Sequence, residues 1–114
     1  MFRSRNLKVR KMIKANVLYP NGEGATFDMN YYLTKHMPLV KQRFGSVLKG
    51  ASVDQGIAGG APNSPAPFAT VCTLLFDSVA DLQAGMAAHA AELMADVPNF
   101  TNIQPTIQVS EVKM

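Results

Sequence analysis

The chain has 114 residues, which is enough for one packed domain but not for two. Its hydrophobic fraction of 47% is typical of a soluble globular protein, and no apolar run approaches the roughly 20 residues that span a bilayer. The formal net charge of +3 is unevenly placed, because residues 1–11 hold five basic residues and no acidic one. Residues 12–114 carry a small net negative charge, so the composition argues against membrane spanning and nucleic-acid binding.

Residues 1–11 are therefore predicted to form a basic, flexible N-terminal extension, and residues 12–114 the folded domain. Cys72 is the single cysteine of the sequence and lies in an apolar run over residues 71–76. One cysteine can form neither an intrachain disulfide nor a cysteine-based zinc site. We expect Cys72 to pack as a small core residue in a protein of the reducing cytoplasm.

The first predicted elements are a strand and a helix. Apolar alternation over residues 13–19 predicts the strand, and the turn-forming residues 20–24 end it. The helix should begin at Asp28, whose carboxylate can cap the first turn, with Phe27 packing against Tyr32. Pro38 disfavours helical geometry at the residue before it, so we expect the helix to stop or kink just after His36 and to end at Gly45. Its inward stripe would comprise Met29, Tyr32, Leu33, His36, Val40 and Phe44.

The second half of the sequence predicts two strands, a helix and a last strand. The strands cover about residues 48–57 and 68–76, separated by a Gly/Pro-rich loop over residues 59–67. Asp77 or Ser78 should cap the helix, which Pro98 ends. Its stripe would comprise Val79, Leu82, Met86, His89, Leu93 and Val97. The last strand covers about residues 105–112.

The resulting order, β-α-β-β-α-β, predicts an α+β, ferredoxin-like fold with an antiparallel four-stranded sheet and both helices on one face. The other face of the sheet would stay uncovered although it is partly apolar. Packing that face against a second copy would bury it, so we expect a homodimer that forms through the sheet faces.

Candidate chemistry centres on His36, which is predicted to lie beside a helix break. An imidazole exchanges protons near neutral pH, so His36 is the candidate general base. Tyr32 or Tyr31 would orient a ligand, because a phenol can hydrogen-bond a carbonyl or a developing enolate. His89 and Phe100 are candidate ligand contacts, although each could equally be an ordinary core residue.

Metal and cofactor chemistry is less favoured by the sequence. Asp28 with the two histidines could form a facial triad, but no two of these ligands lie four residues apart on a helix. The serines lack the context of a nucleophile elbow, and there is no phosphate-binding loop. We therefore expect no metal and no cofactor, with haem or metal binding through His36 or His89 as a minor alternative.

Residues 12–114 resemble the EthD family of small dimeric α+β barrel proteins. The resemblance rests on four segments: residues 27–39, with tyrosine, histidine and proline in sequence, and residues 59–62, 76–78 and 90–101. It implies a ferredoxin-like protomer whose sheet packs face to face with that of a second copy. The family is named after a protein required alongside a cytochrome P450 in the degradation of ethyl tert-butyl ether. The position similar to the family's histidine is His36, with Tyr32 and Asp28 beside it.

Two functions are compatible with this sequence. In the first, a pocket between sheet and helices binds a small oxygenated or apolar organic molecule, and His36 catalyses cofactor-independent proton transfer or oxygenation. In the second, the protein is a non-catalytic carrier that delivers such a molecule to a partner oxidase. Relatives with this fold catalyse several different reactions, so the fold alone does not choose between them.

Overall fold

The structure, a computed structural model, describes residues 12–114, and the extension predicted for residues 1–11 lies outside the described residues. Its strands are β1 (Ile13–Pro20), β2 (Gly50–Gln55), β3 (Phe68–Phe76) and β4 (Thr106–Glu111). The first helix, α1, covers residues 29–44 and is built from an α-helical turn Met29–Tyr31, a π-helical turn Tyr32–His36 and an α-helix Met37–Phe44. The second helix, α2, covers Val79–Asp96. Short 3-10 turns follow both helices, Gly45–Val47 after α1 and Val97–Asn99 after α2.

The four strands form one antiparallel sheet in the order β2-β3-β1-β4. This confirms the predicted ferredoxin-like α+β fold, in which the two central strands are β3 and β1. The strand β2 is shorter than predicted at both ends. Leu48 is excluded because its N–H closes the 3-10 turn by bonding the carbonyl of Gly45.

The hydrophobic core lies between the helices and one face of the sheet. Alternate residues of β1 and β3 point into it, as the strand period requires. They include Ile13, Ala15, Tyr19, Cys72, Leu74 and Phe76, all buried. Both helices add to this core, α1 with Val40 and Phe44 and α2 with Leu82 and Leu93.

Of the two outcomes predicted after His36, a stop or a kink, the stop is wrong, because α1 continues through Met37 with helical backbone angles. Instead, the Met37 N–H bonds the carbonyl of Tyr32, five residues back, which makes a π-turn. Pro38, which follows, has no N–H to donate to a helical bond, so the distortion lies just before it. The extra residue shifts the helix phase: Met37 becomes buried, whereas Leu33 of the predicted stripe is 50% exposed.

Helix starts follow the predicted capping. The Asp28 carboxylate accepts from the Tyr31 N–H at 3.0 Å, and Ser78 accepts from the Asp81 N–H at 3.0 Å. Phe27 packs edge-on against Tyr32, with ring centroids 5.0 Å apart. The amide of Asp28 also donates to the carbonyl of Phe100 at 2.7 Å. This bond fixes the start of α1 beside the segment that leaves α2.

Candidate functional site

An apolar cavity of about 60 Å³ lies between the sheet and the two helices. Its walls come from β1, β3, β4, α1 and α2. The aliphatic and aromatic lining residues include Val17, Met37, Val40, Phe44, Leu74, Met86, Leu93 and Ile107. The side chains with polar atoms that line it are those of His36, Tyr19, Tyr32 and Cys72. A small ligand in this cavity would therefore meet few polar groups, and the imidazole is the one among them with a ring nitrogen that can accept a proton.

The buried imidazole of His36 is held by a carboxylate from the other helix. His36 Nδ1 lies 2.9 Å from Asp96 Oδ2, and the His36 residue is 5% exposed. An ionised carboxylate only accepts hydrogen bonds, so Nδ1 must carry the proton of this contact. Nε2 has no hydrogen-bond partner within residues 12–114. The pair therefore leaves Nε2 of a neutral ring as a free proton acceptor.

Asp96 is held in turn by two further donors. The Tyr31 hydroxyl donates to Asp96 Oδ1 at 2.7 Å, and the Asn99 side-chain amide donates to the same oxygen at 3.0 Å. Partial burial opposes ionisation of this carboxyl, but the hydrogen bonds from Asn99, His36 and Tyr31 outweigh it and lower the pKa of Asp96 below its usual value. Asp96 is therefore an ionised, fixed acceptor behind the imidazole.

Tyr32 forms the wall next to the imidazole. Its ring stacks on that of His36, with centroids 5.3 Å apart and an interplanar angle of 15°. Burial raises the pKa of Tyr32 far above its ordinary value, and burial raises that of the neighbouring Tyr19 to about 12. Both phenols therefore stay protonated and can donate a hydrogen bond.

The family comparison agrees with the resemblance seen in the sequence. The EthD domain family matches residues 21–104, which is most of the chain. The chain belongs to the EthD family. A solved EthD-like protein from Ralstonia eutropha is 43% identical, with a TM-score of 0.86 over 93% of this chain and 96% of that one. No curated protein sequence matches the chain.

More distant solved structures share the fold of this EthD protein. An ethyl tert-butyl ether degradation family protein from Bacillus halodurans is 22% identical, with a TM-score of 0.63 over 90% of this chain and 99% of that one. A protein of unknown function from Thermobifida fusca, described as dimeric and ferredoxin-like, is 13% identical with a TM-score of 0.58. It matches over 90% of this chain and 92% of its own.

Two of the six predicted site residues of this EthD protein, His36 and Tyr32, line the cavity. The other four do not line this cavity, and a ligand contact for them stays a prediction. Tyr31 holds Asp96, and Asp28 is an exposed helix cap. His89 packs against the edge of the Phe44 ring, and Phe100 is buried behind His36, with ring centroids 4.7 Å apart.

Asp96 was not predicted as a site residue, although the sequence contains a signal for it. It is the last residue of α2, where the helix dipole disfavours a negative charge. A carboxylate at that end indicates a compensating donor close by. Asn99, three residues further on, is one such donor, whereas His36 and Tyr31 lie 60 and 65 residues away in the sequence, so only the fold reveals these two.

Within residues 12–114, no three His, Cys, Asp or Glu side chains are grouped so that they could hold a metal ion. The same part of the chain contains no helix that is long and apolar enough to cross a bilayer.

Replacing Asp96 with asparagine should change how stability depends on pH. The pKa of Asp96 is lower in the folded protein than the unfolded value of about 3.9, so folding favours the ionised form. Its stabilising contribution is fully present above about pH 4 and is lost as the pH falls through the lower, folded pKa. The free energy of unfolding, measured with urea, should therefore be larger for the wild type than for Asp96→Asn, and this difference should shrink as the pH falls below about 4. A difference that does not vary with pH would contradict this assignment.

Proposed function

We propose that this EthD protein binds a small, mostly apolar carbonyl compound in the cavity and transfers a proton to and from the carbon next to the carbonyl. The observation that carries the proposal is the 2.9 Å contact between His36 Nδ1 and Asp96, which leaves Nε2 of this cavity-lining imidazole without a hydrogen-bond partner among residues 12–114. A base in an apolar site need not first shed bound water, and its protonated form is stabilised by the carboxylate behind it.

The proposed step needs no cofactor and no oxidant. The Nε2 lone pair takes the proton from the carbon next to the carbonyl. The electron pair of that C–H bond forms the carbon–carbon double bond of an enolate, and the carbonyl π pair moves to oxygen. Nε2 then returns the proton to the same carbon or to another one, so the overall change is an exchange or an isomerisation.

Tyr32 is proposed to bind the carbonyl oxygen. Burial keeps its phenol protonated, and a hydrogen bond to oxygen strengthens as negative charge develops there. The ring stack with His36 would hold the donor and the base side by side. Tyr31, by contrast, would act through Asp96 and not on the ligand.

A second candidate function is a non-catalytic carrier that delivers an apolar metabolite to a partner oxidase. The apolar lining of the cavity favours it, because most of the walls can only bury surface. In either case the buried, unpaired Cys72 thiol supports a location in a reducing cytoplasm.

Deuterium exchange separates the two functions. Methyl ketones are incubated with the full chain in heavy water, and NMR follows the loss of protons next to the carbonyl. A catalyst accelerates the exchange above the buffer rate. Saturable binding of the same ketones without accelerated exchange would support the carrier and remove the proposed reaction.

The homodimer expected from the sequence is part of the proposal. On the sheet face opposite the helices, Leu18, Ala69, Val71 and Leu75 are half-buried in the single chain, and Leu18 lies directly opposite Val71. The Thermobifida fusca protein with the same fold is described as dimeric. A second copy on this face would remove these apolar side chains from water.

Replacing Leu18 with lysine should shift the protein to monomers, because a charge in the centre of the interface would have to lose its water. Sedimentation velocity over a range of protein concentrations measures the shift. Leu33→Lys is the matched control, since Leu33 is 50% exposed on α1, on the other side of the sheet. Dimers that persist in Leu18→Lys would place the interface elsewhere.

A further inference from the structure

A second apolar hollow, of about 190 Å³, adjoins the cavity at His36 and lies between α2 and β4. Four residues line both spaces: Val17, Leu74, Met86 and Ile107. The remaining walls of the second hollow come from Ala15, Leu82, Gln83 and Val109. The two spaces therefore form one cleft with the imidazole at one end.

From this cleft we infer the ligand class of the site: a carbonyl compound that carries an alkyl chain, with its head at His36 and its chain in the hollow between α2 and β4. The inference rests on the proposed function for the position of the head. It adds the second hollow as the part of the protein that selects the length of the ligand.

The sizes of the two spaces support an elongated ligand. The cavity at His36, about 60 Å³, is the smaller of the two spaces and suits the compact carbonyl head, while the hollow of about 190 Å³ suits the chain. A chain attached to that head can extend into the hollow between α2 and β4, because the two spaces share four apolar wall residues. The single polar side chain in the lining of the second hollow is Gln83, so the attached group must be apolar.

Apolar side chains of β4 that face the second hollow are exposed, which indicates that a ligand can bind there. Val109 lies opposite Ala15, and Ile107 lies opposite Val17, so all four side chains point to the helix side of the sheet. Ala15 is 3% exposed, yet Val109 is 50% and Ile107 41% exposed. The helices therefore cover the central strand and leave an apolar strip of the edge strand open to a ligand.

Calorimetric titration of the full chain with methyl ketones, from methyl propyl to methyl nonyl ketone, tests the inference. Each methylene buried in the hollow should lower the Kd about fourfold until the hollow is full. In Val109→Trp the indole fills the hollow, so the dependence on chain length should disappear while the shortest ketone still binds. Val79→Trp is the matched control, because Val79 is exposed at the start of α2 and lines neither space.

The outcomes separate this inference from the proposed reaction. Chain-length dependence that is lost in Val109→Trp but kept in His36→Gln supports the hollow, even if no proton exchange is found. A Kd that does not vary with chain length in the wild type would overturn the inference. A Val109→Trp variant that keeps the dependence of the Kd on chain length would also overturn it. If that variant sediments as a different oligomer, a second copy occupies the apolar strip of β4 instead of a ligand.

Discussion

Replacing His36 with glutamine should slow the exchange of ketone protons by roughly a hundredfold to ten-thousandfold, the usual contribution of a positioned general base. Glutamine keeps a side-chain amide that can donate to Asp96, but it offers no nitrogen lone pair to take the proton. The affinity for the ketone should change much less, since most of the cavity wall is apolar and stays in place. Exchange rates from NMR and Kd values from calorimetry give the two effects separately.

His89→Gln is the matched control for this prediction. His89 lies on α2, half-buried against the Phe44 ring, and does not line the cavity. Its replacement should leave the exchange rate within a factor of about two. If the exchange rate fell equally in His36→Gln and His89→Gln, or did not fall in His36→Gln, His36 would not be the base of the proposed reaction.

Replacing Phe100 with alanine should lower the free energy of unfolding by about 3–5 kcal/mol, the usual cost of removing a buried phenylalanine. Phe100 is 3% exposed and lies at the centre of an aromatic cluster. Its ring centroid is 4.7 Å from that of His36, 4.9 Å from Tyr32, 5.3 Å from Phe27 and 5.9 Å from Tyr19. Urea unfolding followed by circular dichroism measures the loss, which is a large part of the stability of a small domain.

Phe68→Ala is the control for this second prediction. Phe68 is only half-buried at the start of β3 and lies outside the main core cluster. Its loss should therefore cost clearly less than that of Phe100. Equal free energies of unfolding for Phe100→Ala and Phe68→Ala would contradict the prediction that the aromatic cluster beside His36 stabilises the fold.

The fold was predictable because its signals are local. Strand alternation in β1, the apolar run of β3, and the caps at Asp28 and Ser78 each depend on residues within a few positions of one another. The order of these elements then leaves few topologies open. The exact helix phase was not predictable in this way, because the π-turn before Pro38 adds a residue to one turn and buries Met37.

The candidate site was only half predictable, since it depends on contacts between distant segments. His36 and Tyr32 could be chosen from their chemistry and spacing within one helix. Asp96 could not be paired with His36 from the sequence, because 60 residues separate them and α2 must fold back beside α1. Asp28 and His89 also carry suitable groups, but the structure gives Asp28 a helix-capping contact and does not include His89 in the cavity lining.

The tautomer of the neutral His36 ring tests most directly whether Nε2 is the base in the cavity. Imidazole nitrogen chemical shifts, measured by NMR at a pH where the ring is neutral, distinguish a protonated Nδ1 from a protonated Nε2. The contact with Asp96 predicts that Nδ1 carries the proton in the wild type, and that Asp96→Asn weakens this preference while Glu92→Gln, on the same helix, does not. A neutral His36 with its proton on Nε2 would contradict the account, because no base would then face the cavity.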